Sequence, residues 1–495
     1  MIYRKVVCKA VTPIISKGPN KEGKTYDFGL TGQSIKGVLH YWFRAVAPRV
    51  INIYELSFPK DTTGMDPEAK KKLEKQIEEL RKRFENEKYK GLKFLEEQIF
   101  GSQNKKAPFA VWVEYEEKDL EPVINIVKYV DRSSGKTKTD YSLLYGAYGT
   151  INIPDEDAEL SAKWLKAGSR FEIYITSESQ EVFDVILALL KLTSLVGGFG
   201  AKTTKGFGQF EIVDVFDEND KALGIKFEKV LEPNENLQAK LIKLLDEVKI
   251  KTVEFLDAKK VSKFLELEKS VKDEQNITLL EFPNFTNNAY KVFRINKEEV
   301  KPDRDPLNLI RTIYRASQDP EKLGWYRALK RRLRYYQEVV QSQENKNGPS
   351  ESKVISKDSV KEIVKGLDGK ESVDVEVRAG FLGLPIQYSR LKVKGSVDKV
   401  TFYSIVKLSD KTENGRKTSP LRIIFVKTGQ EYVAYCLILK SHLSDEFVEQ
   451  ADSTIRYTLK SDNSKVNGHI NINWNNVESL LKKNLKNERG DVNGK

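Results

Sequence analysis

The sequence predicts an α+β protein whose N-terminal part combines one sheet with two helices. Over residues 1–216, period-two apolar patterns typical of strands alternate with helical apolar patterns. Polar and glycine-rich segments separate these patterns, as expected of connections between short elements. The resulting order is strand, helix, strands, helix, strand. This β-α-β-β-α-β order is the ferredoxin-like arrangement, a sheet with both helices on one face.

Each element of this first unit has its own local signal. The apolar run at residues 5–15 predicts a strand that Pro13 closes. A helix is predicted over residues 34–47, with Ser34 as its N-cap because a serine hydroxyl can accept a free backbone N–H of the first turn. The remaining elements are, in chain order, a strand at 110–115, a strand at 170–176, a helix at 181–196 and a strand at 209–216.

The rest of the chain divides into an inserted arm and a second unit. Residues 66–99 form a charged helical segment with one narrow apolar seam, which predicts an arm that packs on the domain or on a partner. Residues 225–275 are rich in lysine and leucine and predict a helical bridge, and mixed patterns after it predict a second α+β domain. The predicted divisions are an N-terminal domain at 1–224 with the insertion at 66–99, a bridge with a C-terminal domain at 225–485, and a frayed tail at 486–495.

The composition favours a polyanionic partner, either nucleic acid or an acidic membrane surface. The 495 residues include 84 Lys and Arg against 72 Asp and Glu, so the formal net charge is +12. No run of about 18 apolar residues occurs, so we expect no membrane span. The two cysteines and three histidines show no disulfide framework and no metal-ligand spacing. We therefore expect a soluble cytoplasmic protein without a cofactor or metal.

A glycine-rich loop lies within "SLVGGFGAKTTKGFGQFEI", residues 194–212. Five residues separate Gly200 from Gly206, and Phe207 stands where a Walker A loop needs lysine. The dinucleotide-binding spacing fails as well, because Thr203 stands where its third glycine belongs. Two interpretations stay open, a tight connection that uses glycine for positive φ and a backbone that approaches a polyanion beside its lysines. The candidate residues are Gly197, Gly198, Gly200, Lys202, Thr203, Lys205, Gly206 and Gly208.

Two helical patterns concentrate cations. Lys36, His40 and Arg44 lie four residues apart, which places them on one stripe of the first helix. Residues 322–337 contain six Lys or Arg and no acid. This second helix is either a surface helix whose arginines pair with acids elsewhere or a nucleic-acid contact in which Arg holds phosphates and aromatic rings stack on bases. Its candidate residues are Arg327, Arg331 and Arg334.

His40 is the one residue that suggests catalysis. Between Lys36 and Arg44 it could act as general base in metal-independent RNA cleavage, with its cationic neighbours stabilising the phosphorane. The other interpretation is that His40 packs or makes one more contact to a phosphate.

Together, several motifs resemble those of a known family. "LTGQSIKGVLHYWFRA" at 30–45, "EEQIFGS" at 96–102 and "GGFGAKTTKGFG" at 197–208 are similar to motifs of the RAMP superfamily of CRISPR-associated proteins. With "GLPI" at 383–386 and "RKTSPL" at 416–421, the chain resembles the first RAMP subunits of the type III-B Cmr effector complex. That family usually has arginine at the position of His40, so here a permanent cation becomes a titratable one.

The resemblance implies two ferredoxin-like domains and an RNA-binding subunit without catalytic residues. Such a subunit helps hold the 3′ region of the guide RNA and the target RNA, beside other Cmr subunits, in antiviral defence. Its implied RNA-binding residues are Ser34, Lys36, His40, Tyr41, Arg44, Lys202, Thr203 and Lys205, with Arg327, Arg331 and Arg334 from the basic helix. Two alternatives stay open, a RAMP-type endonuclease that uses His40 and a scaffold whose basic surface meets only acidic neighbouring subunits.

Overall fold

The computed structural model of the protein describes residues 1–16, 18, 20–21, 25–26, 28–59, 64–122, 124–130, 134–147, 163–232, 235–268, 279–286, 288–317, 322–330, 382, 386–393, 396–408, 411–415, 419–443, 452–459, 465–471 and 474–482. The first strands are β1 (Ile2–Ala10), β2 (Ile14–Ile15), β3 (Asn20–Lys21), β4 (Thr25–Tyr26), β5 (Phe109–Tyr115), β6 (Leu120–Pro122), β7 (Lys128–Val130), β8 (Thr137–Thr139), β9 (Lys163–Leu165), β10 (Arg170–Ser177) and β11 (Phe210–Phe216). The later strands are β12 (Tyr290–Arg294), β13 (Ile386–Val393), β14 (Ser396–Leu408), β15 (Lys411–Gly415), β16 (Leu421–Thr428), β17 (Glu431–Leu439), β18 (Asp452–Leu459) and β19 (Lys465–Asn471). The helices are α1 (Gly32–Val46), α2 (Pro67–Arg83), α3 (Lys90–Phe100), α4 (Ile124–Val127), α5 (Tyr141–Gly146), α6 (Gln180–Val196), α7 (Leu237–Ala258), α8 (Pro306–Tyr314) and α9 (Trp474–Lys482), and residues 325–330 are also helical.

The N-terminal unit is built on a four-stranded antiparallel sheet in the order β11-β1-β10-β5. In β1, β10 and β11 the side chains on one face, such as Val6 of β1 and Ile173 of β10, are fully buried in the core with α1 and α6, whereas those of β5 are mostly half-buried there. Side chains alternate between the two faces of a strand, so one face of this sheet enters the core and the other faces away from it. The predicted succession of strands and helices over residues 1–216 and the α+β class are confirmed.

Helix α1 begins with a capping box that corrects one prediction. Its N-cap is Thr31, not Ser34, and the Thr31 hydroxyl accepts the backbone N–H of Ser34 at 3.2 Å. The Ser34 hydroxyl in turn accepts the backbone N–H of Thr31 at 2.9 Å. Ser34 therefore occupies the third helical position, where its hydroxyl reaches back to the cap residue and satisfies a second free donor.

The charged segment at 66–99 is two helices rather than one. Phe84 ends α2, and α3 starts at Lys90. The predicted apolar seam of α2 is confirmed, because Leu73 and Leu80 are buried. Helix α3 lies deeper than an arm would, with Leu95 fully buried in the same core as the sheet.

The C-terminal half contains two further antiparallel sheets within the described residues. One has the order β12-β17-β16, and the other runs β13-β14-β18-β19 with β15 on β14. The predicted domain boundaries and the second ferredoxin-like domain stay predictions. The tail at 486–495 and most of the "GLPI" motif lie outside the described residues.

Strand β16 joins the two halves of the molecule. Its alternating side chains enter two different cores, Ile424 with α1, α6 and α7, and Ile423 and Phe425 with α5, α8 and the helix at 325–330. The predicted bridge is confirmed as helical over α7, which packs along α6. The glycine-rich loop between α6 and β11 lies against the second of these cores, because Phe207 is buried there.

Candidate functional site

The stripe of Lys36, His40 and Arg44 on α1 lies partly beside α3, where His40 and Arg44 both approach one carboxylate. Arg44 holds Glu96 of α3 through two hydrogen bonds, from Nε to Oε1 at 2.6 Å and from Nη2 to Oε2 at 3.1 Å. His40 Nε2 lies 3.0 Å from Glu96 Oε1, and its ring stacks on Phe100 at 4.6 Å. Lys36 places its ammonium 5.3 Å from the centre of the Phe109 ring, and burial lowers the pKa of Lys36. The stripe therefore anchors α1 to α3 with the same groups that were predicted to meet RNA.

Glu96 is a buried carboxylate that depends on these partners. Burial alone would raise the pKa of Glu96, but the nearby His40 imidazole and the two hydrogen bonds from Arg44 lower it to about 2. Because this pKa lies below the ordinary value of the unfolded chain, the carboxylate stabilises the fold above that value. This contribution is lost as the pH falls toward the folded pKa.

We expect Glu96→Gln to lower the free energy of unfolding by about 3 kcal/mol at neutral pH. The two cations lose their carboxylate, and the neutral amide cannot replace the bidentate pair with Arg44. Urea unfolding at about pH 7 and about pH 3 measures the effect, and the difference from the parent protein should shrink at the acid pH. Glu85→Gln, at an exposed carboxylate next to α2, is the control and should change neither value. An effect of Glu96→Gln that is equal at both pH values contradicts this assignment.

Tyr41, also predicted as an RNA contact, lies elsewhere. Its hydroxyl accepts a hydrogen bond from Arg422 Nη2 at 3.0 Å, and the buried Arg422 guanidinium lies over the rings of Tyr41 and Trp42. Arg422 belongs to β16, so Tyr41 ties α1 to the C-terminal half. This contact lies on the face of β16 opposite to the face that packs on the glycine-rich loop.

The glycine-rich loop folds back on its own chain. Gly200 has φ +82°, and a side chain there would come within 2.2 Å of the Ile15 carbonyl oxygen. Gly208 has φ +75°, and a side chain there would come within 2.0 Å of the Phe199 carbonyl oxygen. A side chain at the other loop glycines would also meet close neighbours, at 2.5 Å from the Trp42 ring for Gly197, 2.5 Å from the Gly208 carbonyl oxygen for Gly198 and 2.8 Å from the Phe425 ring for Gly206. This geometry is what the interpretation as a tight connection predicts, and the approach of the loop to a polyanion stays a prediction.

A buried polar cluster holds the two ends of this loop. The fully buried Lys229 donates from Nζ to the carbonyl oxygens of Ser194 and Leu195 and to Gln209 Oε1, at 2.7 to 3.1 Å. Gln209 also accepts from the backbone N–H of Phe425 and donates to the Gly206 carbonyl. Lys229 thus satisfies carbonyl groups at the end of α6 and fixes the loop against β16.

The loop brings its lysines to the basic helix. Lys205, Arg327 and Lys330 surround the ring of Tyr145 from α5, with their cationic centres 5.2, 4.0 and 5.6 Å from the ring centre. Lys330 also donates to the Tyr145 hydroxyl at 3.1 Å. We name Lys202, Lys205, Arg327 and Lys330 the Tyr145 cation cluster.

The electrostatics of the Tyr145 cation cluster are those of an anion site. Burial, together with the charges of Lys202, Lys330 and Arg327, lowers the pKa of Lys205 to about 8. Among the described residues, no carboxylate lies within 4.0 Å of the cationic nitrogens of Lys205, Arg327 or Lys330. A bound anion would relieve the repulsion among these like charges and raise the pKa of Lys205 again.

The structure therefore separates the predicted site residues into two places. On α1, His40 and Arg44 pack on α3, Tyr41 contacts β16, Lys36 lies beside Phe109 of β5, and Ser34 is exposed. In the loop, Lys205 lies near Lys202, Arg327 and Lys330. Thr203 begins a short 3₁₀ turn that ends at Lys205. Arg331 and Arg334 lie outside the described residues. Sequence reasoning did not select Tyr145, because no spacing links it to the loop or to the basic helix.

The part of the chain that the structure describes contains neither a candidate metal site nor a candidate membrane-spanning helix. No group of three or more His, Cys, Asp and Glu side chains there could hold a metal ion. Nor does any described helix combine the length and apolar character that a membrane span requires.

Residues 7–211 match the family model of the RAMP superfamily. This part of the chain is therefore similar to RAMP-superfamily proteins. The matched residues include α1, the glycine-rich loop and Tyr145, whereas Arg327 and Lys330 follow them in the chain. The Tyr145 cation cluster is thus assembled from the matched part and from the C-terminal half together.

The chain is similar to proteins of one CRISPR system. The Cmr subunit Cmr1-2 of Pyrococcus furiosus is 25% identical over 213 residues, which cover 41% of this chain and 91% of that protein. The crystal structure of Cmr1 from Pyrococcus furiosus in its apo form aligns over 91% of both chains at 16% identity with a TM-score of 0.41. A cryo-EM structure of the type III-B Cmr-beta complex bound to cognate target RNA contains a chain that aligns over 88% of this chain and 94% of its own length. That chain is 17% identical, with a TM-score of 0.40.

Proposed function

We propose that the protein is a non-catalytic RNA-binding subunit of a type III-B CRISPR effector complex in the cytoplasm, where it helps hold guide and target RNA beside other subunits. The observation that carries the proposal is the Tyr145 cation cluster, in which Lys205, Arg327 and Lys330 surround one aromatic ring and Lys202 lies near Lys205. Cations that bind phosphates beside an aromatic ring that can stack on a base are the usual elements of single-strand recognition. The similarity of residues 7–211 to the RAMP superfamily and of the chain to a Cmr subunit supports the same function.

We also infer that the C-terminal half is a second ferredoxin-like domain. One antiparallel sheet of this half has the order β12-β17-β16. In a ferredoxin-like unit the first strand pairs with the third and the third with the second, so β12, β16 and β17 take the places of the first, second and third strands. Helix α8 follows β12, and α9 follows β17, as the β-α-β-β-α-β order requires.

The RNA-binding proposal predicts that the triple variant Lys205→Gln, Arg327→Gln, Lys330→Gln binds single-stranded RNA at least about tenfold more weakly. The slope of log affinity against log salt should fall by about 2, since each phosphate contact on a single strand contributes about 0.7. Fluorescence anisotropy of a labelled oligouridine at several salt concentrations measures both quantities. Raising the pH through about 8 should also weaken binding by the parent protein, because the pKa of Lys205 is about 8.

The matched control removes three exposed lysines from α2, as Lys70→Gln, Lys71→Gln and Lys72→Gln. It changes the net charge by the same amount, so a general charge effect would appear in both triple variants. Equal affinities and equal salt slopes in the two triple variants would contradict the cluster as an RNA site.

The same RNA decides between the binder and the endonuclease. The structure favours the binder, because His40 Nε2 lies 3.0 Å from Glu96 Oε1 and its ring stacks on Phe100. We expect no cleavage of the labelled RNA by the pure protein in EDTA. Cleavage that disappears in His40→Ala would establish the RAMP-type endonuclease instead.

A further inference from the structure

The face of the first sheet that lies opposite to α1 and α6 carries three aromatic rings. Trp112 of β5 and Tyr174 of β10 are cross-strand partners, and their rings stack with centroids 5.1 Å apart and planes at 5°. Tyr3 of β1 lies against both, at 5.9 and 6.1 Å. Trp112 is 38% exposed, although tryptophan on a folded protein is usually well buried. An apolar group is therefore presented to solvent on an ordered sheet.

Two carboxylates lie beside these rings, directly opposite each other. Glu114 and Glu172 are register partners on β5 and β10, two residues along from Trp112 and Tyr174. Like charges in directly opposed positions destabilise a sheet. The Tyr174 hydroxyl donates to Glu172 Oε2 at 2.5 Å, and burial together with both carboxylates raises the pKa of Tyr174. The rings and the carboxylates thus form one negative, aromatic surface.

No described cation forms an ion pair with either carboxylate, although the charge of Lys5 acts on Glu172 at longer range. No nitrogen of a described Lys, Arg or His lies within 4.0 Å of the carboxylate of Glu114 or Glu172. Lys5, on the neighbouring strand, directs its ammonium to Asp220 at 2.6 Å instead. A chain with a net charge of +12 therefore leaves two facing carboxylates without an ion-pair partner in its described part.

The edge of the sheet is closed at this point, so a ligand must approach the face. Gly32 packs so closely on β5 that a side chain there would lie 1.8 Å from the Val111 carbonyl oxygen. The Tyr115 hydroxyl donates to the Phe28 carbonyl on the same edge. Addition of a strand to β5 is blocked here, whereas the rings and carboxylates stay accessible from the face.

We propose that this face, named the Trp112 face (Tyr3, Trp112, Glu114, Glu172 and Tyr174), docks an arginine- or lysine-bearing segment of a partner protein. A guanidinium stacks favourably on an aromatic ring and forms bidentate hydrogen bonds with carboxylates. Insertion of one cation between Glu114 and Glu172 would remove the repulsion between them. RNA is the less suitable occupant, because its phosphates would meet the two carboxylates.

The full chain tests this with a fluorescent peptide of alternating arginine and glycine as the probe. Non-specific attraction is small, since peptide and protein are both positively charged. We expect Glu114→Gln with Glu172→Gln to weaken binding by about tenfold or more, and Trp112→Ala to weaken it similarly. The double change is isosteric, so it removes charge without disturbing the strands, and circular dichroism checks that Trp112→Ala keeps its fold.

The matched control is Glu74→Gln with Glu79→Gln, two exposed acids on α2. Unchanged peptide affinity in this control, with loss in the other two variants, supports the proposal. Equal affinity in all variants overturns it. Binding of labelled oligouridine tests the alternative that this face binds RNA. In that case Trp112→Ala would weaken RNA binding, and the double variant at Glu114 and Glu172 would strengthen it. That result would also overturn the proposal of a protein partner. The result is independent of the Tyr145 cation cluster, which lies elsewhere on the molecule.

Discussion

The Gly208→Ala variant is expected to lose at least about 3 kcal/mol of unfolding free energy, enough to reduce the yield of folded protein. Gly208 combines φ +75° with a backbone so close that an added Cβ would lie 2.0 Å from the Phe199 carbonyl oxygen. That carbonyl cannot simply move away, because Phe199 is fully buried and its own N–H donates to the Gly208 carbonyl at 2.9 Å. The loop would have to open, and Phe199 and Phe207 would be exposed.

Gly224→Ala separates the backbone strain of a positive φ from the steric clash of the added Cβ. Gly224 has a similar positive φ of +68°, but a Cβ there meets nothing within 4 Å. Its replacement should therefore cost only the backbone strain, on the order of 1 kcal/mol. Urea unfolding of both variants measures the difference. Equal losses at the two positions would mean that close packing of the loop contributes nothing.

The second large effect concerns Lys229 and pH. Burial lowers the pKa of Lys229 to about 7, although the Glu211 charge acts in the opposite direction. Between that pKa and the ordinary lysine pKa of 10.5, the unfolded chain binds more protons at this position than the folded chain. Stability therefore rises with pH in this window. Relative to Lys229→Met, the parent protein should gain on the order of 3 kcal/mol from about pH 7 to about pH 10.

The measurement is the free energy of unfolding of both proteins at several pH values in that window. Lys226→Met, at an exposed lysine of the same segment, is the control and should differ from the parent by the same small amount at every pH. If the difference between the parent and Lys229→Met is constant with pH, the ammonium is not destabilised by burial.

The order of the first unit could be predicted because its signals are local. The apolar stripe of α1 depends only on residues within one or two helical turns of each other. The alternation of β10 depends only on residues that are adjacent or next to adjacent in the strand. The break between α2 and α3 had no such signal, because helical periodicity runs through Phe84 into the next segment. The short strands between β5 and β10 were missed for the opposite reason, since two or three residues carry no period.

The site shows the same division. Both sources of cations, the loop and the basic helix, were visible as composition, and so was the stripe from Lys36 to Arg44. Their partners were not, because Glu96 is 52 residues from Arg44 and Tyr145 is 60 residues from Lys205. A pattern reports which residues share a face of one element. It does not report which face of another element they meet.

The α+β class, the order of elements over residues 1–216 and the positions of the glycine-rich loop and of the basic helix follow from the sequence without further information. The tertiary structure alone decided that Arg44 is held by a carboxylate of α3, whereas Lys205 joins Arg327 and Lys330 around one tyrosine. The physical reason is that periodicity is fixed by backbone geometry between near neighbours. Whether a cation meets a carboxylate, as Arg44 does, or other cations, as Lys205 does, depends instead on distances through space. Only the packing of the elements sets those distances.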